Sequence, residues 1–250
     1  MMGKNTDKNS YTLIFAVIMV LVVGSILAFT AQSLKERITE NERFEKQQNI
    51  LYAMGINDNE DGSMTFISTD KVADIFSQYI TKQLVIQGDK VTEDDMAYLI
   101  DIKKEKTLAK NKSYQRRLPL FVGKKEGKTF YIVPIRGKGL WDAIWAYVAM
   151  DENMVIQGAL FDHKAETPGL GANIKQRFFM DDFIGEQMFS DGIFKGITVA
   201  KGNNDPLNKR KDDNRVDAIA GATITGDGVT AMIKSDIRLY VPYFKTLKNN

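Results

Sequence analysis

The 250-residue sequence contains no cysteine. That excludes disulfides, thiolate metal sites, iron–sulfur ligation and a cysteine nucleophile together. It has one histidine, His163, so a histidine-built metal cluster or a Ser–His triad lacks its parts. Neither sign of charge dominates: 34 Lys and Arg stand against 32 Asp and Glu. With a net charge of +2 and no clustered basic face, no nucleic-acid partner is expected. Neither a G-x-G-x-x-G turn followed by an acidic residue nor a Walker A loop occurs. With so few side chains suited to chemistry of their own, any chemistry is expected to belong to a bound cofactor. No catalytic residue and no metal ligand set is assigned. The rest of the composition, 44% hydrophobic and 26% charged, is that of an ordinary globular chain long enough for one or two domains.

The one long apolar run lies at the start. No charged residue occurs from Asn9 to Leu34, and Leu13 to Phe29 reads LIFAVIMVLVVGSILAF. Roughly 20 apolar residues at 1.5 Å each span the ~30 Å core of a bilayer. The run therefore predicts a single-pass transmembrane helix over residues 11–31, after an N-terminus of residues 1–10. A cleaved signal peptide is the alternative, but the run exceeds the roughly 7–15-residue apolar core of such signals. Lys4 and Lys8 precede the helix, and Lys35, Arg37, Arg43 and Lys46 follow it. That count does not fix the orientation, because long domains translocate largely regardless of charge. Residues 32–55 continue as a charged helical stalk, with Gly55 suited to end it. Residues 56–250 form the main domain.

Asn57, Asn59, Asp61 and Gly62 resemble the start of a calcium loop, but Ser68 stands where a bidentate Glu is needed, so the stretch reads as a polar turn. Residues 70–112 read as mixed helix and loop. Two runs around Lys124–Gly127 read as a hairpin, with Pro134 closing the second. A second hairpin surrounds Asp151–Asn153. FKGITVAKG reads as a strand, Asn203–Arg215 as a charged loop, and a helical stripe runs from Gly226. The fold class is α+β, a mostly antiparallel sheet with helices packed against it.

Three loops stand apart. GKGLWDAIW, Gly137–Trp145, holds both tryptophans; Leu140 and Trp141 can wall a flat ring, or Trp141 and Trp145 can simply be strand-entrance aromatics. HKAETPGLGA, His163–Ala172, leads from a strand through Thr167 and Pro168 into a helix, with backbone N–H groups able to hold an anion, or is an ordinary strand-to-helix turn. His163 has no catalytic partner in sequence. VDAIAGATITGDGV, Val216–Val229, places Thr223 among small residues before a helix start. Such a start attracts phosphate. The alternative is that Thr225 or Asp227 is only an N-cap after a glycine turn.

DAIAGAT, Asp217–Thr223, resembles the flavinylation motif D-x-x-(S/T)-G-A-T, whose last threonine carries FMN by a phosphoester. GKGLW and ETPGLG resemble its companion motifs. In this order, and behind an anchor and stalk, they make nearly the whole chain similar to the C-subunit family of Na⁺-translocating NADH:quinone oxidoreductases. The resemblance implies covalent FMN on Thr223, with Glu166, Thr167, Gly169, Leu170 and Gly171 lining the flavin. Trp141 and Leu140 would lie near the ring, and Gly221, Ala222 and Ile224 complete the attachment loop. It implies a domain on the periplasmic face of a bacterial inner membrane, partner subunits, maturation by a flavin transferase, and electron transfer coupled to Na⁺ export. The protein alone is not expected to oxidise NADH. One residue departs from the motif: Ala220 stands at its Ser/Thr position. The G subunit of the related ferredoxin:NAD⁺ oxidoreductase shares anchor and motif. The stalk and the region between residues 55 and 118 favour the first family. A cofactor-free extracytoplasmic scaffolding domain is the reading from another class, and Ala220 is its support.

Overall fold

The computed structural model describes residues 9–60, 63–203 and 205–248. Lys4, Lys8, Asp61 and Gly62 lie outside them. Two compact units divide the chain, residues 1–43 and 44–250. In the first, helix α1 (Asn9–Ala53) begins and is exposed throughout. It is the one helix among the described residues long and apolar enough to cross a membrane.

The second unit includes residues 44–55, which the sequence reading assigns to the solvated stalk. Gln47, Asn49, Ile50, Leu51, Tyr52 and Ala53 are buried. The helix ends in a paired-carbonyl motif: Ile56 N–H donates to Leu51 C=O (3.0 Å) and Gly55 N–H to Tyr52 C=O (2.9 Å). The stretch looks solvated in sequence because its charges, from Lys35 to Lys46, precede the buried turns. Asn57 and Asn59 serve the turn itself. Asn57 accepts from Asn59 N–H (3.2 Å), and Asn59 bonds Thr65 N–H (2.6 Å) and the Tyr52 hydroxyl (3.0 Å).

Helix α2 (Val72–Tyr79) leads into strands β1 (Ile80–Gln87) and β2 (Lys90–Glu93), then helix α3 (Ile102–Leu108). The sequence reading of mixed helix and loop therefore misses a hairpin. Its Gly88–Asp89 turn and the β-branched run of ITKQLVIQ are the signals it passed over. Strands β3 (Leu118–Lys125), β4 (Lys128–Lys138), β5 (Ala143–Met150) and β6 (Ile156–His163) follow as the two expected hairpins. They form one antiparallel sheet in the order β2-β1-β3-β4-β5-β6. Pro134 does not close β4. Pairing with β3 ends at Ile132, so Pro134 sits where β4 pairs only with β5 and its missing N–H removes little from the ladder.

Both faces of the sheet are covered, and the period of two sorts the strand residues between them. On one face Leu120, Val122, Val133, Ile135, Ile144, Ala146 and Val148 enter the larger core. Helices α4 (Arg177–Asp181), α5 (Thr223–Asp236) and α6 (Val241–Leu247) pack there, with Phe179, Met232, Ile233 and Phe244 among their buried side chains. On the other face Phe121, Phe130, Ile132 and Ala149 meet Ile50, Leu51 and Ala53 of α1 and Phe76 of α2. Between α4 and α5 lie short strands β7 (Phe189–Ser190), β8 (Ile193–Phe194), β9 (Thr198–Val199) and β10 (Arg215–Val216). FKGITVAKG is thus two short pieces. β9 pairs in parallel with β10, which runs directly into the DAIAGAT loop.

The end of α1 rests on the sheet because Gly158 lacks a side chain: a Cβ there would strike the Ala53 carbonyl. Gly158→Val is expected to destabilise the full chain by about 1–3 kcal/mol, the usual range for overpacking. Chemical denaturation in detergent, followed by tyrosine and tryptophan fluorescence, measures it. An unchanged midpoint would show that this contact does not fix α1 on the sheet.

Candidate functional site

The three sequence loops meet at the carboxylate of Glu166. This side chain is only 4% exposed. Its Oε1 accepts the Trp141 backbone N–H at 2.9 Å, and its Oε2 accepts the Thr225 hydroxyl at 2.5 Å. Thr225 is itself 1% exposed. The GKGLW turn, the ETPGLG turn and the start of α5 are thereby tied through one residue. Burial alone pushes the Glu166 carboxyl upward. The Thr225 hydroxyl and the backbone N–H groups of Trp141, Leu140 and Asp142 outweigh it and hold the group below the ordinary glutamate value.

Two glycines make this closeness possible. A Cβ on Gly171 would fall 2.5 Å from the Thr225 hydroxyl oxygen and also on Glu166. Gly221 takes φ +70°, a left-handed conformation that favours glycine, and its bare face receives Leu170, whose Cδ2 would lie 2.7 Å from a Cβ. Two further bonds stiffen the loops. The Trp141 indole N–H donates to the Thr167 hydroxyl at 3.1 Å. The Glu166 backbone N–H donates to His163 Nδ1 at 3.2 Å. His163 closes β6 as a loop support; its Nδ1 accepts that backbone N–H, and among the described residues no acidic or basic side chain bonds its ring.

Helix α5 is fixed at both ends. At its far end the Asp236 carboxylate, 2% exposed, accepts from Lys106 (2.9 and 3.0 Å), Arg116 (3.2 Å) and the Arg136 N–H (3.0 Å). At its near end the helix starts at Thr223, two residues earlier than the TGDGV start in the sequence reading. Thr223 is therefore its first residue. The N-cap position is Ala222, and no side chain caps it. This overturns the reading of Thr225 or Asp227 as the N-cap: Thr225 lies inside the helix and points into the protein. The expected helix after Pro168 is likewise a turn followed by a 3₁₀ helix, Gly171–Lys175, with no side-chain cap.

The structure sorts the expected site residues into two sets. Thr223, Gly221, Thr167 and Gly169 are exposed, and so are four large apolar side chains: Trp141 (64%), Ile224 (57%), Leu140 (44%) and Leu170 (42%). Glu166, Gly171 and Ala222 are buried beneath. Large apolar groups displayed from two locked loops and the first turn of α5 make this a candidate binding surface. Ala220 is exposed, adjoining the attachment loop. Trp145 is half-buried with the Arg136 guanidinium 5.7 Å from its ring centre, a strand aromatic as the bland reading has it. Sequence reasoning missed the Thr225–Glu166 bond. The two residues are 59 positions apart, and nothing local in the chain announces the pairing.

Comparison with known proteins defines the site further. Residues 139–238, which hold the first loop from Gly139 onward and the whole of the other two, match the FMN-binding domain family. Over 243 residues the chain is 28% identical to the C subunit of the Na(+)-translocating NADH-quinone reductase of Vibrio anguillarum, covering 91% of this chain and 90% of that one. It is 29% identical to the corresponding C subunit of Neisseria meningitidis serogroup B, covering 99% and 98%. The crystal structure of the C subunit from Parabacteroides distasonis superposes with a TM-score of 0.71 at 30% identity, covering 84% of this chain and 96% of that one. Fold and site together define an α+β FMN-binding domain behind a long apolar helix. The chain belongs to the C-subunit family of Na(+)-translocating NADH-quinone reductases.

Thr225→Val is expected to destabilise the domain by about 1–3 kcal/mol, because it strips a donor from a buried charge. Thr225→Ser, which keeps the hydroxyl, is expected to restore most of the loss. Urea denaturation of the three proteins checks this. Equal stability of the Val and Ser variants would remove the hydrogen bond from the account.

Proposed function

We propose that this protein is the membrane-anchored electron-transfer subunit of a Na⁺-pumping NADH:quinone reductase, carrying FMN esterified through its phosphate to Thr223. One observation carries the reading. An exposed threonine stands first in an uncapped helix, and that helix start and the two loops tied to it expose four large apolar side chains.

The residues present fit the group. An alanine N-cap leaves the first N–H groups of α5 without a side-chain acceptor, a choice that ordinarily costs about 1 kcal/mol against Ser or Asp. A phosphate there supplies the missing acceptor and meets the positive end of the helix dipole. Gly221 keeps the backbone beside Thr223 clear of any side chain but Leu170. Trp141, held at its indole N–H by Thr167, gives a flat wall in a fixed orientation. Leu140, Leu170 and Ile224 are exposed apolar side chains that would exclude water from a planar ring bound there. When bound, FMN supplies one- and two-electron redox chemistry. The surrounding residues bind, orient and dry it. Ala220 lacks the hydroxyl of the motif, but Thr223, the residue that bears the ester, is intact.

In this reading α1 anchors the protein in a bacterial inner membrane with the FMN domain on the periplasmic face, where a covalent link prevents loss of the flavin. A flavin transferase installs it, and other subunits deliver and remove the electrons. The site offers no acid–base pair for a soluble organic substrate, so the isolated protein is expected not to oxidise NADH.

The test is co-expression with a flavin transferase, followed by intact-mass analysis. The wild-type chain is expected to gain one FMN less one water, and Thr223→Val to gain nothing. A Thr223→Val protein that still carries covalent FMN would refute the site. A colourless wild-type protein would favour the scaffolding reading.

A further inference from the structure

We infer that the buried carboxylate of Glu166 lowers the reduction potential of the flavin, a role that rests on the reading of FMN at Thr223. The resemblance makes Glu166 a residue that lines the ring. In the structure it is 4% exposed, at the junction of the loops that carry the exposed apolar side chains. Its position relative to the attachment point is fixed by two bonds. One goes to the backbone of Trp141, whose ring is the largest part of that wall. The other goes to Thr225, two residues past Thr223. A group tethered at Thr223 and packed against Trp141 would be held by the same two segments that donate to this carboxylate.

The charge is solvated only by dipoles. Every donor to it is a hydroxyl or a backbone N–H. Among the described residues no Lys, Arg or His forms an ion pair with it; Lys164, its near neighbour in sequence, pairs with Asp142 instead at 2.8 Å. Dipoles stabilise a carboxylate without cancelling its field, and burial removes most of the water that would screen it. The start of α5 contributes roughly half a positive charge, which the flavin's own phosphate also draws on. An electron arriving on the ring adds negative charge near a fixed negative charge. The oxidised ring is therefore favoured over the reduced one. The same contacts suit Glu166 to this task rather than to proton transfer: it accepts at both oxygens and is only 4% exposed.

The experiment is a spectroelectrochemical titration of the flavinylated full chain in detergent, with loading checked by mass. Glu166→Gln keeps the shape and removes the charge, and is expected to raise the midpoint potential. A tenfold change in a one-electron equilibrium reads as 59 mV. Thr225→Val keeps the charge and removes a compensating donor, so it is expected to move the potential the other way. If Glu166→Gln does not fold, the direction of the Thr225→Val shift tests the inference by itself: a lowered potential supports it and a raised one overturns it. A second readout needs no flavin. The folded-state value of Glu166 is depressed, so its contribution to stability is present above the ordinary glutamate range and lost as pH falls through the folded value. Glu166→Gln is expected to flatten that part of the acid limb. Equal potentials for flavinylated wild type and Glu166→Gln would overturn the inference and leave the attachment intact. So would a Thr225→Val shift in the same direction as Glu166→Gln, or an acid limb unchanged by Glu166→Gln. Absence of FMN from the wild type would overturn the attachment and this inference together.

Discussion

The hydrogen bond from Thr225 to Glu166 is the contact on which the site depends. It joins a helix to a turn 59 residues away, and through the second carboxylate oxygen it also holds the Trp141 turn. Without it the three loops would be separate surface features at the edge of a sheet. Surface loops are ordinarily the mobile part of a fold. Here a buried charge makes them interdependent, because the carboxylate belongs to one loop and its donors come from the other two. A displaced loop leaves the charge undersolvated, so the constellation is held together by the cost of losing any member of it.

The rest of the structure serves this arrangement by fixing where α5 begins. The six-stranded sheet has helices on both faces, and α5 lies on one of them with Val229, Met232 and Ile233 in the core. Asp236 holds the far end of the helix through Lys106, Arg116 and the Arg136 backbone, while Thr225 holds the near end. With both ends set, the position of Thr223 follows from the geometry of the helix rather than from the loop before it. The parallel β9–β10 pair then delivers the chain to that loop from a fixed direction. The opposite face is closed by the last turns of α1.

The α+β class and the hairpins of β3–β4 and β5–β6 were legible because their signals are local: β-favouring runs around a polar turn. The β1–β2 hairpin was missed although its turn is equally local, since its flanks carry Lys, Gln and Glu on the exposed positions and hide the alternation. The end of the stalk was misread for a related reason. Burial of Gln47 and Asn49 is a property of the tertiary packing around the end of α1, not of their own hydrophobicity. At the site, the three loops were legible as unusual, and their order pointed to the family. What sequence could not show is the division of labour within them. The resemblance makes Glu166 a flavin-lining residue and the local sequence makes Thr225 a helix cap, yet both are internal, and only folding brings them within 2.5 Å. The exposure of Leu140, Trp141, Leu170 and Ile224 was equally hidden, since apolar residues in sequence are as readily core as surface.

The central claim is that the locked loops present Thr223, and not its neighbours, for covalent FMN. Cleavage after Arg215 and Lys234 releases the peptide Val216–Lys234, which holds Thr223, Thr225 and Thr230 together. Tandem mass spectrometry of that peptide, from protein made with a flavin transferase, localises the modification directly. The account predicts FMN on Thr223 alone, since Thr225 is buried against Glu166 and the Thr230 hydroxyl is engaged with the Gly226 carbonyl. FMN on Thr225 or Thr230, or an unmodified peptide, would contradict it.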